Sequence, residues 1–183
     1  MTFRGFIALD IEPNDDIRSF IEGLKKTGAP LKMVDKDKLH ITMKFLGDTE
    51  EDKVKDISEV VRNVLEEKEP FTIDLKGAGA FPHLGYMKVV WIGTTEEPKL
   101  QNTAHRIEEE LVPLGFSREE KGFSPHITVA RVKGGKNKDR LKRTIENYED
   151  FYFKTQKVTK LKLKKSTLTK KGPIYETLEE YYL

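Results

Sequence analysis

Two short segments of the sequence share a residue pattern that could support acid–base chemistry. Residues 40–43 read His-Ile-Thr-Met and residues 126–129 read His-Ile-Thr-Val. Because successive side chains of a β-strand point to opposite faces, the His and the Thr of each segment would project from the same face. The chain has four His, and neither His83 nor His105 has a Thr two positions later. We therefore interpret the two segments as one site that is built twice.

Two facing His/Thr pairs could catalyse displacement at the phosphorus of a phosphodiester. That reaction needs a base on the attacking oxygen and an acid on the leaving oxygen, at opposite sides of the phosphate. Imidazole titrates near neutral pH, so one of His40 and His126 can begin neutral and the other protonated. The hydroxyls of Thr42 and Thr128 can donate to the non-bridging oxygens, where negative charge accumulates. The pattern predicts these four catalytic residues, with no metal and no cofactor.

Two other interpretations of the motifs stay open. A single His on a strand is commonly a hydrogen-bonded structural residue, although two matched segments 86 positions apart disfavour that reading. The two His could also bind a metal. The chain has no Cys, no two His at helical spacing, and no acid beside either motif His on its strand face, so we predict no metal site.

Composition bounds the class of protein. The 183 residues suffice for one domain, and 37% apolar with 35% charged residues is typical of a folded, soluble chain. The net charge is +2, so any contact with nucleic acid must come from local patches. No segment is long and apolar enough to cross a membrane, and the N-terminus lacks a signal-peptide pattern, so we expect a cytoplasmic protein. We also expect a monomer. A chain rich in Lys and Glu, with Gln only at 101 and 156, resembles heat-adapted proteins.

The order of predicted elements repeats: strand, helix, turn, His/Thr strand, helix, strand. Residues 77–86, rich in Gly and Pro, are interpreted as the crossing between the repeats, and Thr49 with Asp52 as a capping box before a helix. The predicted helices cover 17–24, 54–65 and 97–114, and a fourth opens at Asn137 or Asp139. The predicted strands cover 3–10, 31–34, 39–46, 71–75, 87–92, 125–132, 151–153, 158–165 and 174–178.

This order predicts an α+β fold. We expect a single bilobal domain over residues 1–183, internally duplicated, with approximate repeat halves 1–80 and 87–183. Mainly antiparallel sheets would carry the helices on the outside and leave a central cleft. An approximate two-fold axis would then bring the two His/Thr segments face to face.

Four further residues are candidates for substrate binding. Lys44 shares the face of His40 and Thr42 by alternation and could contact phosphate. Arg131 lies on the face opposite His126 by strict alternation, unless the strand bulges, and its guanidinium could bind phosphate bidentately. Phe81 and Trp91 could stack on a base, and packing in the core is the alternative for Trp91.

The sequence resembles the two-histidine phosphoesterase superfamily, in particular the RNA 2′,3′-cyclic phosphodiesterase group that is also called 2′-5′ RNA ligase, or LigT-like. Its marks are the two His-x-Thr-x segments. Family-like residues surround them at 6–10, 39–47, 77–82, 90–93, 125–131 and 166–168. The resemblance covers nearly the whole chain, and Arg131 matches the pattern of the family.

This resemblance implies metal-independent hydrolysis of RNA 2′,3′-cyclic phosphate ends to 2′-phosphates, in RNA processing. Attack by a 5′-hydroxyl instead of water would give 2′-5′ RNA ligation. It implies that His126 is the base, that His40 is the acid, and that Thr42 and Thr128 hold the phosphate. The expected partner is RNA with cyclic phosphate ends, tRNA fragments being one candidate. An RNA-binding module without turnover and a protein-interaction scaffold remain alternatives.

Overall fold

The computed structural model describes residues 1–95 and 97–183, which form nine β-strands and four α-helices. None of these described helices combines the length and apolar character needed to span a membrane. The helices are α1 (Asp15–Lys26), α2 (Val54–Glu66), α3 (Pro98–Leu111) and α4 (Lys138–Glu146). The strands are β1 (Thr2–Asp10), β2 (Leu31–Met33), β3 (His40–Glu50), β4 (Phe71–His83), β5 (Tyr86–Thr94), β6 (His126–Val132), β7 (Tyr152–Val158), β8 (Lys160–Thr169) and β9 (Gly172–Tyr182).

One antiparallel sheet contains all of these strands, in the order β7-β4-β5-β6-β3-β1-β8-β9, with β2 paired to β6. The two motif strands, β3 and β6, are neighbours at its centre and pair at Ile41 and Ile127. The boundary between β3 and β6, which we call the seam, divides the sheet into two lobes. One lobe contains β3, β1, β8 and β9, and the other contains β6, β5, β4 and β7, with β2 added beside β6. The predicted α+β class with mainly antiparallel strands is confirmed, and the two lobes are joined at this narrow seam.

The lobes exchange strands between the two halves of the sequence. Strands β8 and β9, from the end of the chain, pair beside β1 in the lobe of the first motif. Strand β4, from the first half, pairs with β5 and β7 in the lobe of the second motif. The repeat therefore follows the order of elements along the chain, while each lobe combines strands from both halves. The division at 1–80 and 87–183 stays a prediction.

The helices bury their apolar faces against the sheet and against each other, α1 with α4 and α2 with α3. Helix α1 begins as the sequence predicts, because the Asn14 side chain accepts a hydrogen bond from the Ile17 N–H at 3.0 Å. At the seam, Ile41 and Ile127 are both 0% exposed within this core. Alternation along the strands then places the His and Thr side chains on the opposite, open face of the sheet.

Two local predictions were wrong. Residues 77–86 are not a crossing loop: β4 continues to His83 and returns through a tight turn into β5. Gly79 makes room for the Trp91 ring, because a Cβ added at this position would clash with that ring. The capping box is absent as well, because Thr49 lies in β3 and donates to the Gly47 carbonyl at 3.1 Å.

Candidate active site

The register of β3 and β6 fixes the arrangement of the two motifs. With Ile41 opposite Ile127, antiparallel pairing sets His40 beside Thr128 and Thr42 beside His126. The two His are thus diagonal neighbours, whose Cα atoms are typically about 7–8 Å apart. All four side chains line one cavity of about 620 Å³, which we call the cleft. Imidazoles 86 positions apart in the chain therefore face one common space.

Each motif His is held by the same backbone contact. His40 Nδ1 lies 2.8 Å from the carbonyl oxygen of Lys38, and His126 Nδ1 lies 2.8 Å from that of Ser124. A carbonyl oxygen only accepts hydrogen bonds, so Nδ1 must donate in both rings. The second nitrogen, Nε2, then carries the lone pair or the exchangeable proton. Both rings are set to exchange a proton through Nε2.

The surroundings of the two rings differ. His40 packs between the rings of Phe6 and Tyr175, with centroids at 5.2 and 5.5 Å, and lies near the buried Lys164 ammonium. Burial is the main cause that lowers the pKa of His40; the Lys38 carbonyl raises this pKa, Lys164 lowers it, and the Asp10 carboxylate raises it.

His126 instead meets the edge of a single ring, Phe81, with the centroids 4.9 Å apart. The near two-fold symmetry of the motifs is therefore broken by what packs around them, not by the strands that carry them.

Matched β-bulges follow the two motifs. Opposite β1, Ala8 pairs with Thr42 while Ile7 pairs with Lys44, so Met43 is an extra residue in β3. Opposite β5, the same irregularity makes Val129 an extra residue in β6. A bulge shifts the alternation by one residue. Side chains three positions after each motif Thr consequently return to the open face.

The bulges decide the position of two residues on the open face. Arg131 lies there and lines the cleft, as the sequence allowed only if the strand bulged. Its counterpart in β3 is Phe45, which lines the cleft as well.

Lys44 is turned away from the face of His40 and Thr42, contrary to simple alternation. It is 3% exposed, and its Nζ donates to Glu108 at 2.9 Å and to the Ser117 carbonyl at 2.6 Å. Lys44 is therefore part of an internal ion pair in this structure and does not line the cleft.

The cleft is strongly cationic. Its described wall contains one acid, Asp35, whose carboxylate is bound by Lys38 at 2.9 Å. Hydroxyls of Ser166, Thr169 and Tyr175 add hydrogen-bonding groups. The cations of the wall are Arg4, Lys32, Lys38, Arg131, Lys133 and Lys171. Such a wall favours a polyanion with several phosphates.

Sequence reasoning missed several of these side chains. Arg4, Lys38 and Tyr175 come from three separate segments, and no local pattern marks them. They reach the cleft because β1 and β9 lie in the lobe of β3 and because residues 36–38 form a short turn before His40. Predicting that these three side chains reach the cleft would have required the order of the strands in the sheet.

Phe81 and Trp91 lie together at the edge of the site. Their ring centroids are 5.3 Å apart, and Trp91 packs closely on Gly79 and Gly93. Phe81 contacts the His126 ring, whereas neither residue belongs to the described wall of the cleft. The arrangement matches packing for Trp91 more closely than stacking on a base.

Comparisons with known proteins agree with this geometry. The family model of the 2′-5′ RNA ligase superfamily matches residues 13–167. The RNA 2′,3′-cyclic phosphodiesterase of Methanothermobacter thermautotrophicus is 37% identical over 185 residues, covering 100% of both chains. That of Methanocaldococcus jannaschii is 41% identical over 180 residues, covering 97% of this chain and 99% of its own.

Solved structures extend the likeness to the whole fold. A crystal structure of Escherichia coli LigT with 3′-AMP is 25% identical, covers 100% of this chain and 99% of its own, and superposes with a TM-score of 0.75. A structure from Thermus thermophilus is 26% identical, with coverage of 98% and 97% and a TM-score of 0.80. With its motif strands paired at the centre of one sheet and relatives that match it over their full length, this chain belongs to the 2′-5′ RNA ligase superfamily.

Proposed function

We propose that this protein is an RNA 2′,3′-cyclic phosphodiesterase that opens the cyclic phosphate to a 2′-phosphate. One observation carries the proposal: two imidazoles, each fixed through Nδ1 by a backbone carbonyl, face one cationic cleft as diagonal neighbours. The names of the curated relatives support the same reaction and an RNA substrate. Attack by a 5′-hydroxyl in place of water gives the 2′-5′ linkage for which the family is named.

The catalytic roles divide between the four motif side chains. His126 Nε2 removes the proton from the attacking water, and His40 Nε2 donates a proton to the leaving 3′ oxygen. The hydroxyls of Thr42 and Thr128 donate to the non-bridging oxygens, and Arg131 neutralises charge from the wall of the cleft. These groups supply both proton transfers and the stabilisation of the charge, which supports a reaction that needs no metal.

The pKa of His40 lies below its ordinary value, which makes its protonated form a stronger acid. Burial between Phe6 and Tyr175 makes its protonated form less stable, so the ring gives up a proton readily once a leaving oxygen gains negative charge. Lys164 adds to this effect, while Asp10, bound by both Lys162 and Lys164, opposes it.

Replacing Lys164 with Met is expected to raise the pKa of His40 and to move the limb of the pH profile of kcat/KM that reports His40 to higher pH. The substitution removes a cation that lowers the pKa of His40, so the protonated acid persists to higher pH. The measurement is kcat/KM for a cyclic mononucleotide across the acidic and alkaline limbs of the profile. Lys160→Met is the matched control, because it removes the same charge from β8 but beside Glu180. A profile that stays unchanged in Lys164→Met, or shifts equally in Lys160→Met, would contradict the influence of Lys164 on His40.

The proposed reaction is tested with an oligoribonucleotide that ends in a 2′,3′-cyclic phosphate. In excess chelator, the protein should convert it to the 2′-phosphate, and the product is identified by its mass and by comparison with synthetic 2′- and 3′-phosphate standards. Salt-sensitive binding of the RNA without any turnover would favour the RNA-binding module. Loss of turnover on chelation, with recovery when a metal is added back, would contradict the metal-independent mechanism.

The finer parts of the proposal concern the working state of the protein. Cleavage of RNA by its own 2′-hydroxyl leaves a cyclic phosphate and a 5′-hydroxyl, so tRNA fragments made in this way would supply both ends of the reaction. One chain contributes both motifs to the cleft, which supports action as a monomer. We propose that the protein acts in the cytoplasm.

A further inference from the structure

A second cavity opens beside the motif residues. It has a volume of about 710 Å³ and lies between α3, the segment before β6 and the middle of β3. We call it the side groove; its wall includes Thr42, Gln101, Asn102, His105, Phe123 and His126. Thr42, Phe45 and His126 belong to both cavities, whereas His40 and Thr128 line the cleft and are not part of the described wall of the side groove. Of the two motif histidines, His126 is therefore the one at which the cavities meet.

The charge of the side groove is opposite to that of the cleft. Its described wall holds two carboxylates, Glu108 and Glu119, and one ammonium, Lys44. Lys44 is already bound, at 2.9 Å by Glu108 and at 3.7 Å by Glu119, so it offers little attraction to another anion. An RNA strand that brings several phosphates is thus favoured in the cleft and disfavoured in the side groove.

The remaining side chains of the side groove suit an uncharged nucleoside. Gln101 and Asn102 offer amide donors and acceptors, and His105 adds an imidazole. Phe123 adds an aromatic surface to this wall. These are groups that hydrogen-bond and stack with a base or a ribose.

The geometry of displacement at phosphorus indicates which of the two RNA strands provides this nucleoside. The attacking and leaving oxygens lie on opposite sides of phosphorus. The strand with the cyclic phosphate occupies the cationic cleft, where His40 protonates its 3′ oxygen. The attacking oxygen then arrives next to His126, which is the side on which the side groove opens.

Resting on the proposed function, we propose that the side groove binds the terminal nucleoside of the acceptor RNA strand, whose 5′-hydroxyl attacks the cyclic phosphate. In this step, the 5′ oxygen bonds to phosphorus and the bond from phosphorus to the 3′ oxygen breaks. The hydroxyl proton passes to His126, and His40 gives a proton to the 3′ oxygen. The carboxylates of Glu108 and Glu119 select against a 5′-phosphate at this position.

The test compares ligation with hydrolysis in the full-length protein. An oligoribonucleotide with a 2′,3′-cyclic phosphate is incubated with increasing adenosine, and 2′-phosphate and 2′-5′-linked products are separated. In the Gln101→Ala/His105→Ala protein, the adenosine concentration for half-maximal ligation should rise about tenfold, as expected for two lost hydrogen bonds. These positions lie one turn apart on α3, and Ala preserves the helix. Glu110→Ala, exposed on the same helix, should match the wild type.

A second comparison tests the role of charge. AMP should neither accept nor compete with adenosine in the wild type, whereas it should compete in a Glu119→Lys protein. The assignment would be overturned if the double variant needed no more adenosine than the wild type, or if AMP competed in the wild type. It would also be overturned if the wild type hydrolysed the cyclic phosphate but did not ligate at saturating adenosine. Absence of hydrolysis in the wild type would instead count against the proposed function itself.

Discussion

Replacement of either motif histidine by alanine is expected to lower kcat for hydrolysis of a 2′,3′-cyclic phosphate by about 10²–10⁴-fold, the usual contribution of a positioned acid or base. The effect should fall on kcat more than on KM, because the cations of the cleft still hold the phosphate. The measurement is steady-state turnover of a cyclic mononucleotide by the His40→Ala and His126→Ala proteins. The double variant should lose less than the product of both effects, since the two His act in one step.

His83→Ala is the matched control for this loss. His83 is exposed at the end of β4, where its Nδ1 accepts from the Gly85 N–H of the turn into β5 at 3.1 Å. Turnover by this protein should stay within about twofold of the wild type, as for most surface substitutions away from a site. Wild-type turnover by both His40→Ala and His126→Ala would refute the mechanism.

The shared face of the His and the Thr within each motif could be predicted because it depends only on the local geometry of a strand. Alternation along a strand puts a His and a Thr on one face whatever the surroundings, and the buried Ile between them, Ile41 or Ile127, fixes which face is open. The repeat then predicts that the two strands are equivalent. Whether the two strands are neighbours in one sheet depends on the tertiary fold, although the matched spacing of the motifs indicated that they come together.

The positions after the motifs could not be derived in the same way. Whether β3 bulges at Met43 depends on the register of β1, and whether β6 bulges at Val129 depends on β5. Neither bulge leaves a local mark in the sequence. Simple alternation therefore misplaced Lys44 and left Arg131 undecided. Only the 86-residue repeat, which aligns Phe45 with Arg131, indicates that both strands share the irregularity.

The Gly-rich segment shows a second limit. Residues 77–83 contain Gly and Pro, which disfavour strands on average. They still form a strand because Gly79 accepts the Trp91 ring from the neighbouring strand. A tertiary contact thus overrides the local preference, and the same contact explains why Trp91 packs beside Phe81 instead of lining the cleft.

Replacing Lys44 with Met is expected to lower the free energy of unfolding by about 2–3 kcal/mol, toward the lower end of the cost of removing one partner from a buried ion pair. Met fills a similar volume, so the loss is mainly electrostatic. It leaves the Glu108 carboxylate, whose side chain is 16% exposed, without its ammonium, and the Ser117 carbonyl without its donor. Glu108 keeps the Glu119 N–H at 2.6 Å, which limits the cost. Urea unfolding at neutral pH measures the change.

The pH dependence of this loss separates an internal ion pair from a phosphate ligand. Burial raises the pKa of Glu108, but the Glu119 N–H and Lys44 outweigh it, and the pKa of the carboxyl lies below its usual value. The pair therefore stabilises the fold above the usual range of a glutamate and ceases to do so as the pH falls through the lowered pKa. The difference between wild type and Lys44→Met should shrink in acid, and Glu108→Gln in the same protein should restore part of it. If Lys44→Met instead lost turnover while its stability was unchanged, Lys44 would be a phosphate ligand rather than an internal ion-pair partner.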